Sequence, residues 1–180
     1  MEHFSGDAFA EDAFAGDAFA DVVAGNAAYA ATFSQGDLPA RAGQELAIVT
    51  CMDSRIDPLA ITGLQAGDAK VIRNAGAQVT DEVLQTLVLA VYLLGVKRVL
   101  VIPHTNCKMA SATEAEVHDL LTEAAGMDTR SLQIKTIDDQ QLALARDLVK
   151  IRNYPYLPKD LTVAGAIYDV TNGQLQPFAD

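Results

Sequence analysis

Leu46-Ala47-Ile48-Val49-Thr50-Cys51 is a short apolar run, rich in β-branched residues and closed by a thiol, and it reads as a buried strand. A second run, Lys70-Val71-Ile72-Arg73, leads into Asn74-Ala75-Gly76, and a third, Val99-Leu100-Val101-Ile102, stops at Pro103. Between them, Thr80-Asp81-Glu82 offers an N-cap and first-turn acids, and Val83, Leu84, Leu87, Val88, Val91 and Leu94 recur at helical spacing up to Gly95. Ala112 to Ala124 and Asp138 to Ile151 read as further helices, and Thr162 to Val170 as a fourth strand. Asn172-Gly173 then turns the chain into a short last strand, Gln174 to Phe178. Strands separated by helices demand right-handed crossovers. The sequence therefore predicts an α/β fold: a mostly parallel sheet of four strands plus a C-terminal antiparallel strand, with helices on both faces.

Around this pattern, 180 residues suffice for one domain with a real core. Lys plus Arg number 13 against 24 Asp plus Glu, a formal charge of −11, which makes nucleic acid a poor partner. The longest apolar run, Leu87 to Val96, is far shorter than the ~20 residues a membrane-spanning helix needs, so no membrane association is expected. Glu2 and Asp7 stand where a secretory signal would be basic, and the expected location is cytoplasmic. Residues 1–43 form a distinct arm: the first 40 carry seven acids and no Lys or Arg. Within it, Asp-Ala-Phe-Ala recurs at 7–10, 12–15 and 17–20, with Phe4 extending the aromatic series. A step of five advances a helix by about 140° net, so the phenylalanines spiral instead of forming a stripe. Such an arm is partly ordered or docks on a neighbouring subunit; an array of short motifs for a partner protein is the alternative. Residues 44–180 are left to carry the chemistry.

In an open parallel sheet, reactive groups gather beyond the carboxyl ends of the strands. Both cysteines of the chain, Cys51 and Cys107, fall there. Cys51-Met52-Asp53-Ser54-Arg55 spaces Cys, Asp and Arg two apart, which in extended chain sets them on one side. After the third strand, His104-Thr105-Asn106-Cys107 brings imidazole and thiol together across one turn. Each half alone more often belongs to an inert core. Jointly they make a Cys₂His set, the composition of a catalytic zinc site with an open fourth position. His118, in the helix from Ala112, reads as solvent-facing, with proton transfer as the alternative.

With these motifs in hand, the sequence resembles the β-class carbonic anhydrases. C-x-D-x-R at 51–55, Arg73-Asn74-Ala75-Gly76, H-x-x-C at 104–107 and the stretch from Gly165 to Leu175 with Tyr168-Asp169-Val170 stand in that family's order, across roughly residues 44–178. The resemblance implies that Cys51, His104 and Cys107 bind Zn2+, that Asp53 and Arg55 form a catalytic dyad beside it, and that Ala75 and Gly76 line a substrate pocket suited to a linear triatomic molecule. Asn74 is read as structural. It further implies a homo-oligomer, at least a dimer. The reaction implied is reversible hydration of CO2 to bicarbonate by zinc-bound hydroxide. Compact relatives hydrolyse carbonyl sulfide or carbon disulfide at the same kind of site, which is the enzymatic alternative; a catalytically silent zinc-binding scaffold is the other. The chain departs from the family at Asn106, Lys108 and Pro103, where Asp, Gly and Gly are frequent.

Overall fold

In the computed structural model, which describes residues 17–179, Leu46–Cys51 form strand β1, buried along its whole length. The other strands are β2 (Ala69–Asn74), β3 (Arg98–Ile102), β4 (Thr162–Tyr168) and β5 (Leu175–Pro177). They assemble into one sheet of order β2-β1-β3-β4-β5. The first four pair in parallel and β5 runs antiparallel to β4. Helices α1 (Ala20–Ala30), α2 (Pro58–Ile61), α3 (Asp81–Leu94), α4 (Glu114–Ala125) and α5 (Gln140–Asn153), with short 3-10 turns at Asp17–Phe19, Ala75–Ala77 and Lys108–Ala110, complete the described elements.

The period of two along the strands divides the core between the sheet's faces. Ala47 and Val49 join Val99, Val101 and Val163 under Leu84 and Leu87 of α3 and Leu144, Leu148 and Ile151 of α5. Leu46, Ile48 and Ile102 turn to the other face, where Ile56, Tyr168 and both cysteines are buried, and Ile61 of the one-turn helix α2 packs against them. The helical layer is thus deep on one face and thin on the other. The thin side carries the site.

The ends of the elements follow local chemistry. Thr80 Oγ1 accepts from the Val83 amide at the start of α3, and Gly95 closes it in the left-handed conformation at φ 74°. Instead of beginning at Ala112, α4 starts at Glu114, because Thr113 and Glu116 form a capping box. Asp139 likewise caps α5 at the Leu142 amide. The expected run to Val170 in the fourth strand ends at Tyr168, since Asp169 gathers the turn around itself through Thr171 and Asn172. The sequence reading did not anticipate α2, which Asp57 caps with Pro58 in the first turn.

The described residues divide into two units between Leu38 and Pro39. In the first, α1 has no buried residue, and Phe19, Val22, Val23, Tyr29 and Phe33 are each about half exposed. The repeats at 7–10 and 12–15 lie outside the described residues; the third covers the turn Asp17–Phe19 and the first residue of α1. Among the described residues, no helix is long and apolar enough to cross a membrane.

Candidate active site

Parallel pairing of β1 with β3 brings their carboxyl ends side by side, with Thr50 opposite Ile102. The next residues out are Cys51 on one strand and the turn from Pro103 to Cys107 on the other. Thr50 Oγ1 donates to the Ile102 carbonyl at 2.8 Å and locks the two ends together. Cys51, His104 and Cys107 are buried, and one ligand atom from each lies within 4.8 Å of the others.

His104 is held as a ligand requires. Its Nδ1 is 2.9 Å from the Thr105 carbonyl, an oxygen that only accepts, so Nδ1 carries the proton and Nε2 keeps its lone pair. The residue is 1% exposed, and burial lowers the imidazole pKa, favouring the neutral form. Among the described residues, Nε2 is the only buried side-chain nitrogen or oxygen without a hydrogen-bond partner. An orphaned lone pair in a dry site is costly unless an electrophile takes it. Behind the ring, Gln140 Nε2 at the start of α5 donates to the His104 carbonyl at 2.8 Å.

The sulfurs are prepared by backbone amides. Gly76 N–H donates to Cys51 Sγ at 3.3 Å. Burial pushes the Cys107 thiol pKa up, while the amides of Met109 and Ala110 act in the opposite direction. Two thiolates and a neutral imidazole would cancel the 2+ charge of zinc and leave one position open, so the set fits that metal.

Asp53 and Arg55 stand beside this set. Arg55 grips the carboxylate through its own amide and Nε on Oδ1, both at 2.9 Å, and Nη2 on Oδ2 at 2.7 Å. Those bonds hold the Asp53 carboxyl far below the usual carboxylate range, so it stays ionised. Arg55 Nη2 also donates to the Asn106 carbonyl at 3.2 Å, which joins the two half-sites. Asn106 sits at φ 55°, a left-handed conformation that Asn tolerates better than most residues. Asp53 Oδ2 is 3.8 Å from His104 Nε2, so the carboxylate edge overlooks the vacant lone pair.

A cleft of about 670 Å³ opens over these groups, lined among others by Met52, Ala75, Gly76, Lys108 and Met109. Asn74 clamps the wall of this cleft through paired bonds with the Gln78 backbone, at 2.7 and 2.9 Å. His118 differs from its reading as a solvent-facing residue: it is buried, with Nδ1 2.8 Å from Thr129 Oγ1. Its i,i+4 neighbour Glu114 stands with Oε1 3.8 Å from His118 Nε2, and the same oxygen accepts from the Ile134 amide at 2.7 Å. Sequence reasoning quotes Arg73 only within the Arg73-Asn74-Ala75-Gly76 motif, without a role, and passes over Gln140; both touch the site only through backbone carbonyls. The signals for Arg73 are that motif and its place at the end of a strand adjacent to Cys51.

The carbonic anhydrase family model matches residues 46–175. Beta-carbonic anhydrase 1 of Mycobacterium tuberculosis is 32% identical over 155 residues, covering 86% of this chain and 94% of that protein. A carbon disulfide hydrolase of Acidithiobacillus thiooxidans is 32% identical over 154 residues, covering 74% and 77% respectively. The crystal structure of carbonic anhydrase from Streptococcus mutans superposes with a TM-score of 0.83 at 34% identity, over 89% of this chain and 97% of that one.

Proposed function

The chain belongs to the β-class carbonic anhydrase family of enzymes, and from that premise we propose that it hydrates CO2 reversibly to bicarbonate and a proton, with zinc held by Cys51, His104 and Cys107. The observation that carries this reading is the unpartnered Nε2 of His104, facing two thiols and overlooked by an ionised Asp53. Zinc bound there supplies Lewis acidity that brings the pKa of a water down to about 7. The protein's own residues do the rest. Asp53 Oδ2 is acceptor-only, so it would accept an O–H of such a water and leave the oxygen lone pair free for a substrate in the cleft. Arg55 fixes the carboxylate at three points, which keeps it from swinging inward to the sulfurs and closing the site. Ala75 and Gly76 leave room beside the water for a small linear substrate.

A second reading, hydrolysis of carbonyl sulfide or carbon disulfide by the same groups, draws support from Met52 and Met109 in the cleft lining, whose polarisable thioethers suit a sulfur-rich substrate. One zinc-loaded preparation separates the readings: stopped-flow CO2 hydration against hydrogen sulfide release from carbonyl sulfide and carbon disulfide. The proposal expects hydration to dominate in kcat/KM; sulfide release faster than hydration would replace it with the second reading. The working unit is proposed to be at least a homodimer, a reading supported by the apolar, unburied helix α1.

A further inference from the structure

Pairing of β1 with β2 runs from Leu46 opposite Ala69 to Cys51 opposite Asn74, and the Met52 amide still reaches the Asn74 carbonyl at 2.9 Å. Beyond that point the chain leaves the sheet to present Asp53 to the cleft. The side chain of Arg73, one residue before the end of β2, takes over there. Its Nε donates to the Cys51 carbonyl at 2.9 Å and its Nη2 to the Asp53 carbonyl at 2.7 Å. The two carbonyls flank Met52, so one planar group spans the segment that carries both a metal-ligating thiol and the carboxylate.

We propose that Arg73 is a positioning residue of the reaction, a side-chain continuation of the β1–β2 ladder that sets where the Asp53 carboxylate stands relative to Cys51 Sγ. This rests on the function proposed above. Arg55 ties the Asp53 carboxylate to the carbonyl of Asn106, on the His104 side of the cleft. Arg73 ties the Asp53 backbone to β2, on the opposite side. Asp53 is therefore held from two directions by two different cations. Removing Arg73 leaves the Asp53–Arg55 pair intact and frees it to shift as a unit against the sulfurs. Guanidinium suits this role because its fork meets two acceptors at once in fixed geometry, whereas a Lys ammonium is a single flexible point. Misplacement of an orienting group by about an ångström costs on the order of 10²-fold in rate.

The test compares full-length parent, Arg73→Ala and Arg73→Lys, each loaded with zinc and, separately, with cobalt(II). Arg73→Ala is expected to hold one metal per chain and to melt cooperatively. Its kcat for CO2 hydration should fall about 10- to 100-fold with KM little changed. Millimolar guanidinium should restore part of that loss, Arg73→Lys should lie between, and the cobalt visible spectrum of Arg73→Ala should shift and return towards the parent's with guanidinium. Parent-like kcat and cobalt spectrum in Arg73→Ala would overturn the proposal, as would an activity loss that only tracks lost metal and ignores guanidinium. If Arg73→Ala does not fold, the same readouts on Arg73→Lys decide. A parent that hydrates no CO2 would refute the function reading instead, and the guanidinium response of the cobalt spectrum would then judge Arg73 by itself.

Discussion

Asp53 receives three hydrogen bonds from a single neighbour, Arg55, and that concentration explains why a carboxylate overlooking two thiols stays charged. A group whose folded pKa is lowered contributes its stability above the ordinary carboxylate pKa and loses it only as pH falls through the lowered value. The Asp53–Arg55 pair is therefore intact throughout the neutral range, and its titration will not shape a pH–rate profile above about pH 4. Asp53→Ala and Arg55→Ala should keep zinc, measured by metal analysis, yet lose about 10²-fold or more in CO2 hydration. Parent rates in both variants would show that the water is oriented by something else. Cys107→Ser removes a charged ligand from a three-ligand set, and competition with a chelator should reveal a large loss of zinc affinity. Equal retention of metal by this variant and the parent would remove Cys107 from the set.

At the scale of elements, the loop from Ala75 to Gln78 joins fold to chemistry. Gly76 stands at φ 84°, and an added Cβ would lie 2.9 Å from Ile137 Cδ1 and 3.2 Å from Met109 Cβ. Gly76→Ala combines backbone strain with overpacking, so a loss of about 1–3 kcal/mol in denaturant unfolding is expected, together with a disturbed hydrogen bond to Cys51 Sγ. The capping box of α4 gives a milder case: Thr113→Ala should cost about 1 kcal/mol. Glu116 has its pKa lowered by the Thr113 bonds, so the box contributes fully above the ordinary Glu pKa and fades as pH falls through the folded value. The cost of Thr113→Ala should accordingly shrink in acid, and a cost independent of pH would remove Glu116 from the cap.

These examples also show what was legible in the chain. Strand β1 is legible as a short, continuously apolar, β-branched run, and helix α3 by its helical period with a clear cap and a glycine stop. The three metal-ligating candidates were legible because strand ends in a parallel sheet converge, and register then fixed Thr50 against Ile102. Helix α2 was missed because four residues carry no period, and only Asp57 and Pro58 marked it. Arg73 was legible as part of a motif but its role was not, because its partners are main-chain carbonyls, which leave no pattern in the side-chain sequence. His118 reads as solvent-facing because it is the one buried residue of α4, with no helical stripe to mark it, and its partner Thr129 lies beyond the helix.

Over the whole molecule, charge is unevenly distributed. The first 40 residues hold seven acids and no Lys or Arg, and the other 17 acids stand against all 13 bases. Helix α1 nevertheless exposes Val22, Val23 and Tyr29, apolar area that self-association would bury. Deleting residues 1–38 should lower the number of subunits per particle, read as the light-scattering mass divided by the mass of the truncated chain; an unchanged subunit number would assign assembly to the remaining residues. The central claim is that CO2 hydration depends on one zinc held by Cys51, His104 and Cys107. Its most direct test is to titrate metal-free protein with zinc while following CO2 hydration by stopped flow. The account predicts that activity rises in proportion to zinc, saturates at one equivalent per chain and stays near background in Cys107→Ser at the same zinc concentration. Hydration that is already complete without zinc, or that never rises with it, would contradict the account.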